Sequence, residues 1–266
     1  MPVITRPTGA ALPVVAHVPH ASTTIPVDVR AELLISDDEL ADELLRLTDH
    51  FTDELFTGLS KLGATLFVND LSRLVFDPER FLDDSAEPTA TRGQGVVYWQ
   101  GSRGQLIREA SWAVRNRHVV ERYGPYHAAF DALVAEALRA GGECLVLDCH
   151  SFPSVPLPSE IDQDPDRPDI CIGTDELQKP VALADALEAS FAAAGYVVRR
   201  NSPFAGTFVP SGYYGRDHRV RSVMIEVRRG LYMDEAAGTR LPSFSHVRDA
   251  ITRAAAAALG SSVSVS

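Results

Sequence analysis

The chain has 266 residues, 45% of them hydrophobic, enough for one large α/β domain or two small ones with a real core. Its 36 acidic residues against 25 basic ones give a net charge of −11. That balance argues against nucleic acid or an anionic membrane as partner, but a few local arginines can still capture a small anionic substrate. Cys144, Cys149 and Cys171 include no C-x-x-C, so neither a disulfide framework nor a thiolate zinc site is expected. No apolar run reaches membrane-spanning length. The opening residues 1–7 lack the apolar block of a secretory signal, so a reduced cytoplasm is the expected compartment.

In chain order, residues 14–18 form a short β-branched run that reads as a strand, followed by a turn-rich loop from Pro19 to Pro26. His20 therefore falls at a strand end. Ser36-Asp-Asp-Glu39 has capping-box spacing and predicts a helix whose apolar face is Leu40, Leu44, Leu45 and Leu47. Thr48 or Asp49 can cap a second helix over 53–62, closed by Gly63. Residues 64–68 read as a strand, running into a polar segment that carries Arg73 and Arg80. Each arginine is either a carboxylate clamp or a surface ion pair. Residues 83–104 read as a long loop, a lid or a short hairpin around 95–99.

Helical material follows from about Gln105 to Arg139, with a break expected near Gly124-Pro125. His127 opens its second part, as an active-site group or a partly buried helix histidine. The stretch Leu145-Val-Leu-Asp-Cys-His-Ser151 reads as a buried strand ending in polar residues. Alternation sends Asp148 and His150 to one face and Cys149 to the other. Polar groups at such a strand tip sit where open α/β sheets bind ligands. Residues 151–168 form a Pro-rich loop over that tip. Strands are expected over 169–174, 196–200 and 222–227, and helices over 182–194 and 247–259. The strand at 222–227 carries Glu226, which needs a partner or a chemical task to be buried there. We find no internal repeat and no domain boundary. The chain reads as one domain over 1–266, with a disordered tail over 260–266.

Strands alternating with helices imply a three-layer α/β/α domain. Three of the expected strands end in His20, His150 and Glu226. Two histidines and a carboxylate from distant segments match the ligand set of a catalytic zinc site with one open position. Zinc lowers the pKa of bound water to about 7, and a neighbouring Glu or Asp can then shuttle the proton. Arg73 and Arg80 fit the tasks of oxyanion electrophile and substrate clamp.

Taken together these residues resemble the N-formylglutamate amidohydrolase (deformylase) family. The likeness is carried in order by Pro19-His20-Ala-Ser22…Pro26, Thr48-Asp49, Ser72-Arg73-Leu-Val-Phe-Asp77-Pro-Glu-Arg80, Tyr126-His127 and Asp148-Cys-His150-Ser151. Pro168-Asp169…Gly173-Thr174, Asn201…Gly206…Tyr214-Gly215 and Glu226…Tyr232-Met-Asp234-Glu235 complete the series. The resemblance implies a mixed, mostly parallel sheet in a phosphorylase/hydrolase-like fold shared with zinc carboxypeptidases. It also implies hydrolysis of N-formyl-L-glutamate to formate and glutamate, late in histidine breakdown.

By this likeness one Zn2+ is held by His20, His150 and Asp49, with Asp53 or Glu226 as alternatives to Asp49. Glu226 becomes the general base, and Arg73 polarises the scissile carbonyl. Arg80, Asn201, Tyr214 and His127 face the substrate, a small anionic N-acyl amino acid. The oligomeric state is left open. The chain departs from the family at Ala21-Ser22, His50-Phe51 and Cys149, while the metal and base positions are kept. Two other readings stand beside this one: a peptidase or amidase with another acyl preference, and a non-catalytic homologue that binds the same ligand.

Overall fold

The computed structural model describes residues 2–263. Seven strands build one sheet: β1 (Val3–Thr5), β2 (Val14–Val18), β3 (Thr65–Val68), β4 (Cys144–Phe152), β5 (Ile170–Gly173), β6 (Val198–Arg200) and β7 (Val220–Arg228). Their spatial order is β1-β3-β2-β4-β7-β5-β6. The central pairs β3/β2, β2/β4 and β4/β7 are parallel, as is β5/β6. Only β1/β3 and β7/β5 are antiparallel, so the sheet is mixed and mostly parallel.

The helices are α1 (Val27–Arg30), α2 (Asp37–Leu47), α3 (Thr52–Leu55), α4 (Gly58–Lys61), α5 (Trp112–His118), α6 (Gly124–Gly141), α7 (Val181–Ala193) and α8 (Phe244–Val263). Strand alternation divides them between the two faces of the sheet. Ala16, Val18, Leu147, Cys149, Val223 and Ile225 pack with Leu55, Leu59, Leu187 and Ile251, which come from α3, α4, α7 and α8. On the other face Val15, Phe67, Val146 and Val220 pack with Phe130, Leu133 and Val134 of α6. Each Val, Leu, Ile or Phe among them contributes about 1.5–3 kcal/mol on burial. A Cβ at Gly58 would run into Thr252, so this glycine lets α4 lie directly on α8.

The capping box at Ser36 forms as the sequence predicts. The Ser36 hydroxyl accepts from the Glu39 N–H, and the Glu39 carboxylate accepts from the Ser36 N–H. The expected helix over 53–62 is two short ones, α3 and α4, entered through Phe51 in a left-handed conformation (φ 65°). The break expected near Gly124-Pro125 takes the form of a widened turn rather than a loop. Residues Val119–Tyr123 widen into a π turn between α5 and α6. There the Gly124 N–H donates to the Val119 carbonyl five residues back, and the wider turn accommodates the proline ring and its missing donor.

The inner part of the 83–104 segment is core, not a lid. Val96, Val97 and Tyr98 are buried, and Gln94 bridges to Tyr98 across a tight turn. Strand β1 and the hairpin β8 (Met233–Asp234)/β9 (Thr239–Arg240) lie outside the sequence-based expectation. The last helix runs to Val263, into the segment expected as a tail, whose residues 264–266 lie outside those described. No helix among the described residues is long and apolar enough to cross a membrane.

Candidate metal and catalytic centre

The three central parallel strands carry the reactive groups in register. His17 of β2 is the ladder partner of Asp148 of β4, and His150 of β4 is the partner of Glu226 of β7. His20 lies just beyond β2. Asp49 lies just beyond α2, and its N–H donates to the His20 carbonyl at 3.0 Å, tying the helix end to the strand tip. The loop after β3 brings in Arg73, Asp77, Glu79 and Arg80. It is fixed from outside, since the Asp77 N–H donates to the Val96 carbonyl and the buried Arg108 to the Leu74 carbonyl.

The two histidines meet, with ring centroids 5.2 Å apart. His20 Nε2 donates to Asp77 Oδ1 at 2.9 Å, and His150 Nε2 donates to Asp148 Oδ1 at 3.0 Å. The His20 tautomer is assigned from its one carboxylate partner, whereas His150 faces a carboxylate through each of its two nitrogens. Both Nδ1 atoms then face Asp49 Oδ2, His150 at 3.2 Å and His20 at 3.7 Å. His20 Nδ1 is buried without a hydrogen-bond partner. Glu79 approaches from the side, with Oε2 3.7 Å from His20 Nδ1 and Oε1 3.1 Å from His150 Nε2.

Two histidine–carboxylate sets offer atoms within 4.8 Å of one another and could hold a cation: His20, Glu79 and His150, and His17, Glu79 and Asp148. His20, Asp49 and His150 are a further candidate set, in which one Asp49 oxygen faces the same nitrogen, Nδ1, of both rings. In each ring the opposite nitrogen is held by a buried aspartate, the usual arrangement around a metal-ligating histidine. The charge balance agrees. Five carboxyl groups (Asp49, Asp77, Glu79, Asp148 and Glu226) surround the histidines, against three guanidinium groups (Arg73, Arg80 and Arg229).

The ionisation states follow from these contacts. Burial opposes charge on Asp49. The hydrogen bond from His150 and the nearby His20 and Arg229 outweigh it and hold the carboxyl well below its usual range. The same contest keeps Asp77 ionised through Arg80, His20 and Arg73, and Asp148 through His150 and His17. Burial also opposes charge on His150, but Glu79 and Asp148 push its imidazolium well above the ordinary range. A proton on His150 Nδ1 and a divalent cation are thus alternatives at one point, and metal binding here releases a proton. Glu226 differs from the other acids. Burial pushes it up to about 8, opposed by the charge of His150, and its Oε2 is buried with no hydrogen-bond partner.

Other expected site residues lie at various distances from this cluster. Arg73 donates to Asp77 Oδ2 at 2.9 Å and lies 4.0 Å from Asp49. Arg80 lies 3.4 Å from Asp77, and its Nε is buried without a partner. His127 donates from Nε2 to the Pro78 carbonyl at 2.9 Å, so it buttresses the loop that carries Asp77 and Glu79. Asn201 is left-handed (φ 54°) and exchanges hydrogen bonds with Thr174 at the end of β5. Tyr214 is partly exposed and donates to Asp175. Asp53 has no hydrogen bond or ion pair to the cluster among the described residues, and burial raises its carboxyl.

Four participants escaped the sequence reading. Glu79 stands inside a quoted motif with no task assigned. Arg229, one of two arginines at the end of β7, donates to Asp49 Oδ1 at 2.9 Å and to the Ser151 hydroxyl at 3.2 Å. His17 interrupts an apolar strand, a signal in itself, and Tyr126 faces it. Arg229 also forms part of the lining of a cavity of about 420 Å3 beyond the ends of β4 and β7, with Arg46, Pro153, Val155 and Glu235.

The sequence profile of the N-formylglutamate amidohydrolase family matches residues 12–233, a span that includes every residue of the cluster. The chain belongs to this family. Like the family it is a hydrolase of amide C–N bonds. The crystal structure of N-formylglutamate amidohydrolase from Ralstonia eutropha JMP134 superposes with a TM-score of 0.85 at 27% identity, covering 99% of both chains. The Atu2144 gene product of Agrobacterium tumefaciens shares the fold, with a TM-score of 0.68 at 24% identity over 98% of this chain and 96% of that one. No curated protein sequence matches.

Proposed function

We propose that this amidohydrolase cleaves a small anionic N-acyl amino acid, N-formyl-L-glutamate foremost, into a carboxylic acid and the free amino acid. We further propose that it does so with one divalent ion, zinc in the first instance, held by His20, Asp49 and His150. The observation that carries this reading is the convergence of two imidazole Nδ1 atoms, one of them buried and unpartnered, on a single Asp49 oxygen. When bound, such an ion supplies Lewis acidity to water and to the substrate carbonyl.

The protein groups divide the remaining work. Glu226 receives the proton of the attacking water as the water oxygen bonds to the acyl carbon. It then passes that proton to the departing nitrogen as the C–N bond breaks. A base that burial holds near neutral range is matched to both transfers. Arg73 stabilises negative charge developing on the carbonyl oxygen. Arg80, with a free Nε beside it, clamps a substrate carboxylate. Three buried cysteines, all free, suit a reducing cytoplasm.

The test is metal content together with product release. Purified protein should hold about one zinc per chain and release formate from N-formyl-L-glutamate faster than it deacylates other N-acyl amino acids or short peptides. Activity indifferent to chelators would remove the metal from the reading. A better N-acyl substrate would move the assignment within the class.

A further inference from the structure

The metal-facing tautomer of His150 is set from a distance. Asp148 Oδ1, the acceptor for His150 Nε2, also accepts from His17 Nδ1 at 2.9 Å. Since that nitrogen faces a carboxylate it carries the proton, which leaves His17 Nε2 as the acceptor. The Tyr126 hydroxyl donates to it at 2.7 Å. The other Asp148 oxygen accepts from the Phe208 N–H at 2.8 Å. His17 itself is fully buried, stacked on Phe208 at 4.4 Å and edge-on to Phe130 at 5.0 Å. An aliphatic side chain would fill an aromatic pocket of this kind without the cost of burying two ring nitrogens. A histidine there, with both nitrogens satisfied in one direction, points to a task.

We propose that Tyr126, His17 and Asp148 form a buried positioning chain that keeps the proton of His150 on Nε2 and so presents its Nδ1 to the metal. This inference rests on the metal reading above. The chain runs across the sheet, because His17 and Asp148 are ladder partners and Tyr126 reaches in from α6. Glu79 Oε1, at 3.1 Å from His150 Nε2, is a second acceptor. It sits on a loop and is more exposed than Asp148, so it cannot fix the ring alone. Without the Tyr126 hydroxyl, His17 loses the donor that assigns its own tautomer. Without His17, Asp148 keeps the Phe208 N–H and the Thr207 hydroxyl on its other oxygen but loses the one donor among the described residues, apart from His150, on the oxygen that His150 uses.

The experiment measures zinc affinity of the whole protein by competition with a chromophoric chelator, alongside thermal melting of the zinc-free protein. Asp148→Asn and His17→Leu should each weaken zinc binding about 10–100-fold, and Tyr126→Phe about 10-fold. His17→Asn should stay within a few-fold of wild type, because an asparagine amide stands where Nδ1 does and still donates to Asp148. Melting of the zinc-free variants reports any folding loss separately. Zinc-binding wild type with Tyr126→Phe and His17→Leu unchanged overturns the positioning chain alone. His17→Asn as weak as His17→Leu also overturns it, because the vacated space rather than the lost donor would then set the affinity. Wild-type protein that binds no zinc overturns the metal reading and this inference with it.

Discussion

Glu226→Gln separates the mechanism from a merely structural account, because it should remove a loss of stability at rising pH and lower activity at once. The substitution keeps the shape of the side chain and removes its charge. In the zinc-free protein, burial holds the Glu226 carboxyl at about 8, against an ordinary value of 4.5. Between those values the folded protein keeps a proton that the unfolded chain has released. Stability therefore falls as pH rises through this window. One pH unit of such a difference is about 1.4 kcal/mol. The wild type should thus lose about 3 kcal/mol between pH 5 and pH 8 through this one group, and the glutamine variant should not. For a domain of this size that is about 6–12 °C in Tm. The pH-independent cost of seating an amide cancels when the two pH values are compared. Melting of zinc-free wild type and variant at pH 5 and pH 8 gives the double difference directly. Formate release by the zinc-loaded proteins should fall about 10²–10⁴-fold in the variant. A Tm difference that does not grow with pH would refute the buried, unpartnered carboxyl. Near-normal turnover would refute Glu226 as the base.

Three further outcomes are expected. Asp49→Asn should abolish stoichiometric zinc binding while Glu79→Gln keeps it, as measured by metal analysis after dialysis; the reverse result would make Glu79 the third ligand. Burial pushes His127 down to about 4, from an ordinary 6.5, so its neutral form is favoured on folding and stability is lost as pH falls through that window. His127→Gln, which still offers a donor to Pro78, should lose less Tm than wild type between pH 7 and pH 5. Ser36→Ala removes the capping box of α2 and should cost about 1 kcal/mol, a fall of about 2–4 °C in Tm with zinc affinity unchanged.

Much of the scaffold was readable because its signals are local. Apolar runs marked β2, β4 and β7, and the Ser36-Asp-Asp-Glu39 spacing placed the start of α2. Strand β1 gave no signal, since its three residues are exposed and held only by the edge of β3. The interruption expected near Pro125 is there, but as a π turn that keeps the chain helical instead of a loop. At the site, His20, Asp49, His150 and Glu226 were found as members of an ordered motif set, and they converge. Glu79 and Arg229 are read only in three dimensions, because a loop brings Glu79 to the histidines and a strand end brings Arg229 to Asp49. Asn201 and Tyr214 belong to the same motif set, yet their polar atoms are occupied by Thr174 and Asp175.

The pairing of His17 with Asp148 and of His150 with Glu226 is made by rungs of main-chain hydrogen bonds. Their spacing is therefore dictated by covalent dimensions that mutation cannot alter, and what varies freely is the rim. Laboratory evolution toward bulkier acyl groups should accumulate its useful changes in the segments 153–168 and 201–219 that follow β4 and β6. Libraries that randomise the strands themselves should yield mostly inert protein.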